Sequence, residues 1–226
     1  MKEMLEGMLL VNKPQGLTSH DVVDIVRKNL GIRRVGHAGT LDPLAEGLLI
    51  ILVGKTTKFF PKFSNLDKKY EATLRLGAST DTGDSQGKVI KTGGFEGISS
   101  QMIEEVFRRF EGEILQSPPR FSAVRYKGRR LYEWARKGKT VNLAPRRVKI
   151  FSLKVRKVKL PDVDFFIHCS KGTYIRKLAE EIGEVLGCGA YIVKIKRVQI
   201  GPFSLEEAVS LQDINEDILL PVPKNF

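Results

Sequence analysis

The run Gly47–Gly54, GLLIILVG, is the feature that most restricts how this chain can fold. It carries no charged or polar side chain and has the length of one strand, far below the roughly 20 apolar residues that span a bilayer. Strands without a polar face lie inside a sheet that is covered on both sides. The run therefore predicts a buried strand in the interior of a covered sheet.

Other segments have strand or helix patterns of their own. Apolar residues at helical spacing predict helices, and Thr18 with Asp21 predicts a capped start for the first of them. Strands and helices mix without strict alternation, which is typical of an α+β fold with a central mixed sheet. No linker divides the chain, so we predict one domain over residues 1–226. The predicted helices are TSHDVVDIVRKNLG, SSQMIEEVFRRFEG, RRLYEWARKG, GTYIRKLAEEIGEVLG and a last short one that begins with SLEEAVSL, and the further strands are MLLVN, KKYEATLRLG, RRVKIFSLKVRKVKL, VDFFIHCS and AYIVKIKRVQIG.

The net charge of +12 is concentrated in one segment. Between Arg120 and Lys149, eleven Lys or Arg residues stand against one acid, Glu133, which is an excess of ten positive charges. Most charged runs are only solvated surface. Here aromatic side chains are interleaved with the cations, which favours a polyanion as partner, with nucleic acid first. The aromatic residues are Phe121, Tyr126, Tyr132 and Trp134.

Metal and disulfide chemistry are not expected from the cysteines. Cys169 and Cys188 form no CxxC or Cys/His group, so neither a metal site nor a structural disulfide is predicted. The N-terminal sequence MKEMLEGMLLVNKP is a poor signal peptide, because its apolar patch is short and lies among two glutamates. We therefore expect a cytoplasmic protein.

Two positions are unusual for purely structural residues. In GHAGTLDPLAEG, Asp42 lies in a glycine-rich loop before the buried strand, with His37 nearby. An Asp-Pro pair can be only a turn or a helix start, or the carboxylate can be catalytic. Arg176 lies in the first turn of a predicted helix, where the helix dipole favours acids. It is either an exposed arginine or one that has a carboxylate or phosphate partner.

Six long segments of the chain stand in the order found in one enzyme family. They are LLVNKPQGLTSHDVV, RVGHAGTLDPLAEGLLII, KKYEATLRLGASTDTGDSQGKV, PPRFSAVRYKGRRLYEWARKG, CSKGTYIRKLAEEIGEVLGCGAY and RVQIGPFSLEEA. Together they resemble the bacterial tRNA pseudouridine-55 synthases of the TruB type. The resemblance implies a pseudouridine synthase fold, α+β with a central mixed, mainly antiparallel sheet flanked by helices. It also implies a basic RNA-gripping insert at residues 118–149, and we expect no C-terminal domain of the PUA type.

The same resemblance implies an isomerase that converts a uridine in the T-loop of tRNA to pseudouridine without cofactor or metal. Asp42 matches the catalytic nucleophile, Tyr70 the residue that stacks on the target base, and Arg176 the partner of the catalytic carboxylate. His37 matches the histidine that packs into the RNA loop as the base is flipped, and Lys13 a residue of the active-site floor. The remaining RNA-binding residues of this expectation are Tyr174, Arg129, Arg130, Arg136 and Lys137.

Two other functions stay open at this level. Archaeal and eukaryotic relatives of the family work in guide-RNA particles, and the chain could be such a subunit. A non-catalytic RNA-binding module or chaperone would explain the basic segment but not Asp42, Tyr70 and Arg176 in matching motifs. LDPLAEGLL and YEWARKG favour the stand-alone enzyme. We expect a monomer that acts on the T-arm of tRNA, with no membrane partner.

Overall fold

The computed structural model describes residues 5–139, 141 and 143–223. In chain order the strands are β1 (Gly7–Lys13), β2 (Val35–His37), β3 (Glu46–Val53), β4 (Lys68–Leu76), β5 (Ala78–Thr80), β6 (Val89–Thr92), β7 (Gly112–Gln116), β8 (Arg125–Tyr126), β9 (Arg129–Arg130), β10 (Arg146–Lys159), β11 (Asp162–Cys169), β12 (Ala190–Ile200) and β13 (Phe203–Ser204). The helices are α1 (Ser19–Leu30), α2 (Phe60–Ser64), α3 (Ser100–Arg109), α4 (Leu131–Arg136) and α5 (Ile175–Val185), and short 3-10 segments are Gly54–Phe59, Leu205–Glu207, Leu211–Asp213 and Glu216–Ile218.

The described residues form an α+β fold with a central, mostly antiparallel sheet and flanking helices, as the sequence predicts. The chain divides into two compact units. Unit 1 contains residues 1–70 and 196–226, and unit 2 contains residues 71–195. The chain changes unit inside β4 and inside β12, not in linkers. No helix of the described residues is both long and apolar enough to cross a membrane.

Strand β3 is the interior strand of unit 1. It pairs antiparallel with β1 and β2 and parallel with β12, where Lys196 lies opposite Glu46. Every residue from Gly47 to Val53 is buried, which confirms the predicted strand with two covered faces. Its alternate side chains pack in a cluster with residues of β1, α2 and β13. The buried apolar run therefore holds in place the chain segments directly before and after β3.

Helix α1 begins with the predicted capping box. The Thr18 hydroxyl accepts a hydrogen bond from the Asp21 backbone, and the Asp21 carboxylate accepts one from the Thr18 backbone. Caps of this kind stabilise a helix start by about 1 kcal/mol. The cap holds the buried Ser19 at the first position of α1, where it faces a loop described below.

Unit 2 contains the strand order β12-β4-β11-β10-β7. Alternate residues of β11 are buried, and Phe165 on this buried face meets Phe107 of α3 edge to face, with ring centroids 5.5 Å apart. Cys169 and Cys188 are both buried. Between β7 and β10 the chain forms the β8–β9 hairpin and α4, so the short helix predicted in RRLYEWARKG is confirmed.

The last predicted helix is wrong. The segment SLEEAVSL forms only the 3-10 turn Leu205–Glu207. Beyond it the chain is extended, because the backbone of Val209 exchanges hydrogen bonds with Leu10 and Asn12 of β1. A backbone that pairs with a strand cannot make the intrahelical bonds that the amphipathic pattern allows. Tertiary pairing therefore overrides local helix preference here.

Candidate active site

Asp42 is half-buried in the loop between β2 and β3, in unit 1. The residues on both sides of it are fastened to the preceding part of the chain. The Ser19 hydroxyl donates to the carbonyl of Leu41 at 2.9 Å and accepts from the Leu41 amide at 2.8 Å. The Gly16 amide donates to the Pro43 carbonyl at 2.8 Å. Hydrogen bonds of both neighbouring residues therefore hold the backbone of Asp42 in place.

Arg197 holds the start of the same loop. Its side chain is 1% exposed, and its guanidinium donates to the carbonyl oxygens of Leu48 at 2.8 Å, Gly39 at 3.0 Å and Thr40 at 3.4 Å. The planar fork of an arginine suits several acceptors at once, which a lysine cannot match. Sequence reasoning missed this residue, because it follows Lys196 in AYIVKIKRVQIG and nothing local distinguishes a buried cation from an exposed one there.

Gly47 allows Arg197 to come this close. It lies opposite Arg197 in the parallel pairing of β3 with β12, with φ at +101°. A Cβ at this position would clash with the Arg197 carbonyl oxygen and lie 2.9 Å from the Arg197 amide nitrogen. Only glycine combines this backbone conformation with this approach. The glycine after Glu46 in the motif is thus a packing requirement of the site.

Lys13 is a buried cation at the end of β1. Its Nζ donates to the carbonyl oxygens of Pro14 at 2.8 Å and Leu17 at 2.6 Å. Burial lowers the pKa of Lys13 to about 8, the charge of Asp42 acts to raise this pKa, and the charge of Arg197 acts to lower it further. Two predicted site residues, Lys13 and Asp42, therefore influence each other electrostatically within unit 1.

The lowered pKa of Lys13 predicts a pH-dependent contribution to stability. The folded chain releases this proton near pH 8, whereas the unfolded chain holds it up to about pH 10.5. Between those values the unfolded state binds the extra proton, so the contribution of Lys13 to the free energy of unfolding rises with pH, and below pH 8 it is constant. We expect urea unfolding to show a wild-type minus Lys13→Met difference that rises between pH 8 and pH 10.

The exposed Lys28 of α1 provides the matched control, since Lys28→Met should give a difference that stays flat over the same range. A flat difference for Lys13→Met as well would mean that the folded chain holds the Lys13 proton as firmly as the unfolded chain does.

Two further predicted residues lie in unit 1. His37 is half-buried at the end of β2, opposite Ile51 of β3. Tyr70 is the third residue of β4 and is 8% exposed. Unit 1 thus contains four of the predicted site residues, Asp42, His37, Lys13 and Tyr70.

Arg176 belongs to unit 2, where it is buried at the first turn of α5. Its guanidinium donates to the carbonyl oxygens of Thr82 at 2.7 Å and Phe121 at 2.8 Å, and lies 3.4 Å from the carboxylate of Asp84. The interpretation of Arg176 as an exposed arginine is wrong, and Asp84 supplies a carboxylate partner of the kind that the helix position implies. The pairing of Arg176 with Asp42 stays a prediction.

Asp84 is a site residue that the sequence reasoning missed. It is 4% exposed, and its Oδ1 accepts from the Thr82 hydroxyl at 2.7 Å and from the Gln86 amide at 3.1 Å. STDTGDSQGK is thus a structured loop with a buried carboxylate, and the Ser85 amide fastens it to Ile192 of β12. A buried charge with this many partners holds a unique geometry.

Tyr174 is positioned by a buried amide. Its backbone N–H donates to Gln116 Oε1 at 3.0 Å, and Gln116 Nε2 donates to the Tyr174 carbonyl at 3.4 Å. Gln116 is 1% exposed and ends β7, directly before the insert. The start of α5 is therefore attached to the base of the insert.

The predicted RNA-gripping residues lie on the β8–β9 hairpin and around α4. The guanidinium of Arg129 lies 5.7 Å from the ring centroid of Trp134, and that of Arg136 lies 5.4 Å from the ring of Tyr132. Stacked guanidinium groups remain available for phosphate contacts at their edges. Arg130 ends the hairpin and Lys137 follows α4. Of the predicted insert, Thr140 and Asn142 lie outside the described residues.

Metal-binding clusters of His, Cys, Asp and Glu do not occur among the residues that the structure describes. The chemistry offered by the described site is that of a carboxylate on a fixed loop with buried cations around it.

Comparisons with known proteins match most of the chain. The family described as TruB family pseudouridylate synthase (N terminal domain) matches residues 27–175, and the tRNA pseudouridylate synthase B C-terminal domain matches residues 176–221. The tRNA pseudouridine synthase B of Aquifex aeolicus is 45% identical over 98% of this chain and 79% of its own length. That of Clostridium tetani is 46% identical over 94% and 74%.

Two solved structures resemble the fold. One is a crystal structure of a Cbf5-Nop10-Gar1 complex, with a TM-score of 0.73 and 30% identity. The other is an H/ACA RNP bound to a substrate RNA containing 2′-deoxyuridine, with a TM-score of 0.70 and 28% identity. Each match covers 95% of this chain and about half of the other chain, 54% and 53%.

Proposed function

Because the chain belongs to the TruB family of pseudouridylate synthases, we propose that it isomerises a uridine of tRNA to pseudouridine. The observation that carries the proposal is 45% identity, over 98% of the chain, to a relative named tRNA pseudouridine synthase B. In its finer form the substrate is uridine 55 of the T-loop, and the enzyme acts alone in the cytoplasm as a monomer. It requires neither guide RNA nor cofactor.

Asp42 is the proposed nucleophile. The reaction breaks the N1–C1′ bond and forms a C5–C1′ bond, while C5 loses its proton and N1 gains one, so no oxidant or reductant is consumed. A carboxylate bound transiently to the nucleoside divides this exchange into two easier steps. The fixed backbone around Asp42 supports the role, because a nucleophile must be held to within a fraction of an ångström of the position from which it can attack.

Buried cations favour the ionised form of the carboxylate that a nucleophile needs. The attraction between Asp42 and Lys13 is mutual, since the charge of Asp42 acts to raise the pKa of Lys13. Arg197 contributes its charge within the same unit and holds the loop. We further propose that Arg176 pairs with Asp42 and fixes the direction of its oxygens.

Base flipping gives Asp42 access to the uridine. Extrusion of a base from a folded loop costs a few kcal/mol, and stacking on an aromatic residue returns about 1 to 3 kcal/mol per base. Tyr70 is proposed to stack on the flipped uracil and to take part in proton transfer. His37 packs into the RNA loop that the uridine leaves, and Tyr174 contacts the RNA beside the site.

Tritium release from a T-arm stem-loop containing 5-tritiated uridine tests this proposal. Purified wild type without guide RNA should release tritium, because C5 loses its proton in each turnover. Asp42→Asn should release none while its affinity for the stem-loop changes less than about threefold, because the amide keeps the shape and loses the nucleophilic charge.

Asp24→Asn is the matched control, since Asp24 is an exposed acid of α1 and should keep full turnover. Turnover by Asp42→Asn would refute the nucleophile, and a wild type that binds the stem-loop without release would refute the stand-alone isomerase.

The basic insert is the proposed grip on the T-arm. Arg129, Arg130, Arg136 and Lys137 contact phosphates, which release counterions and make binding salt-dependent. The guanidinium groups of Arg129 and Arg136 lie over the rings of Trp134 and Tyr132, which leaves their edges available to phosphates. Affinity from this source carries no sequence information, so the loop contacts around Asp42 must supply the choice of uridine.

Replacement of these four cations by glutamine should flatten the dependence of binding on salt. Each lost phosphate contact removes about 0.7 to 0.9 from the slope of log affinity against log salt, so the slope should fall by about 3. Four exposed cations elsewhere, Lys28, Lys88, Lys91 and Arg108, replaced in the same way should leave the slope nearly unchanged. An equal slope for wild type and the insert variant would mean that these four cations do not contact RNA phosphates.

A guide-RNA particle is the second candidate function. The observation in its favour is the likeness to proteins solved as a Cbf5-Nop10-Gar1 complex and an H/ACA RNP. Identity to those chains is 30% and 28%, against 45% to the relative named tRNA pseudouridine synthase B. The tritium assay without guide RNA separates the two candidates.

A further inference from the structure

The outer face of β10 and β11, in unit 2, is rich in cations. Strand β10 carries seven Lys or Arg residues and no acid between Arg146 and Lys159. Its buried side chains alternate with exposed ones, and Lys149, Lys154 and Arg156 are exposed. None of these three makes a salt bridge among the described residues. Lys149 lies opposite Glu113 of β7 in the register and Lys154 lies opposite Phe166 of β11, so Lys154 and Arg156 carry the uncompensated positive charge of this face.

Aromatic rings lie between these cations. The ring of Phe151 is 42% exposed, lies 4.7 Å from the ring of His168 on β11, and has the Lys149 ammonium 5.5 Å from its centroid. Farther along, the guanidinium of Arg156 lies 5.4 Å from the ring of Phe166. These outer-face rings, of which Phe151 is exposed and Phe166 and His168 are half-buried, are not needed for the core, because the opposite face of β11 already packs on α3.

A bulge explains how Phe151 reaches the outer face. The register between β10 and β11 shifts between Ile150 and Ser152, so Phe151 is the extra residue of β10 at this point. Bulges redirect a side chain while the ladder continues on both sides, and they recur where a strand has a functional role. The bulge places the Phe151 ring beside His168, the residue opposite Ser152.

We propose that this outer face, defined by Lys149, Phe151, Lys154, Arg156, Phe166 and His168, is a second RNA-binding surface for unpaired nucleotides. Bases stack on the rings of Phe151, His168 and Phe166, and the three cations contact the phosphates between them. Sequence-tolerant binding of single strands combines these two elements. The surface is separate in sequence from the β8–β9 hairpin and α4, and it rests on the proposed function only in that RNA is the partner.

Other cations of β10 do not belong to this surface. Lys157 and Lys159 lie opposite Asp164 and Asp162 in the register, where acids offset their charge. Arg147 lies 3.9 Å from Glu113 of β7. The excess positive charge therefore lies beside the aromatic rings of the outer face. A strand of RNA, which carries both phosphates and bases, is complementary to this arrangement, whereas an uncharged or cationic partner is not.

Fluorescence anisotropy with a fluorescein-labelled decauridylate tests the proposal. Phe151→Ala should bind this unstructured RNA about 5- to 160-fold more weakly, since stacking on one ring is worth about 1 to 3 kcal/mol per base. Replacement of Lys149, Lys154 and Arg156 by glutamine should lower the salt slope by about 2, at about 0.7 for each phosphate of a single strand. The exposed position of Phe151 makes loss of the fold by Phe151→Ala unexpected, and a thermal melt checks it.

Ile90→Ala with Lys91→Gln is the matched control, since both side chains are exposed on β6 of the same unit. It should bind decauridylate like wild type. Wild-type affinity in Phe151→Ala, or an equal loss in the β6 control, would overturn the proposal. Tritium release by the wild type from the T-arm stem-loop tests the proposed function separately. A protein that shows no turnover could still bind decauridylate, and Phe151→Ala would then still weaken that binding.

Discussion

The hydrogen bonds from the buried Arg197 guanidinium to loop and strand carbonyls are the contact on which unit 1 depends. They join the end of β12 to β3 and to the loop that carries Asp42, through acceptors on Gly39, Thr40 and Leu48. Loss of the guanidinium would remove a donor from the buried Leu48 carbonyl, at a cost of about 1 to 3 kcal/mol, and would release the more accessible carbonyls of Gly39 and Thr40. Geometry of the site and stability of the unit thus rest on one side chain.

Unit 2 contains a second arginine of the same kind. Arg176 bonds two carbonyl oxygens and lies beside Asp84, and both charged side chains are nearly inaccessible to solvent. Surface pairs such as Arg109 with Glu105 contribute about 0 to 1 kcal/mol and are weakened by salt. Buried charges with complete partners instead specify one arrangement, because any shift leaves a desolvated charge unsatisfied. In each unit the residues that hold a predicted functional side chain are of this buried type.

The sequence was sufficient for elements whose cause is local. The burial of β3 follows from its uninterrupted apolar run, and the start of α1 from Thr18 and Asp21. Arg197 and Asp84 were missed because their partners lie far away in the chain or in a loop with no periodicity. The segment after Ser204 was mispredicted for a related reason, since Leu10 and Asn12 capture its backbone. Long-range hydrogen bonds, rather than propensity, decided each of these cases.

The two hydrogen bonds between Ser19 and Leu41 have a consequence for the entropy of binding. Ordering one residue of a flexible loop costs about 1 to 2 kcal/mol of conformational free energy. If the loop around Asp42 were mobile, this ordering cost would reduce the free energy of substrate binding. With both flanks tied to α1, β12 and the chain before α1, the loop has little freedom left to lose, and more of the contact energy of a ligand can appear as affinity.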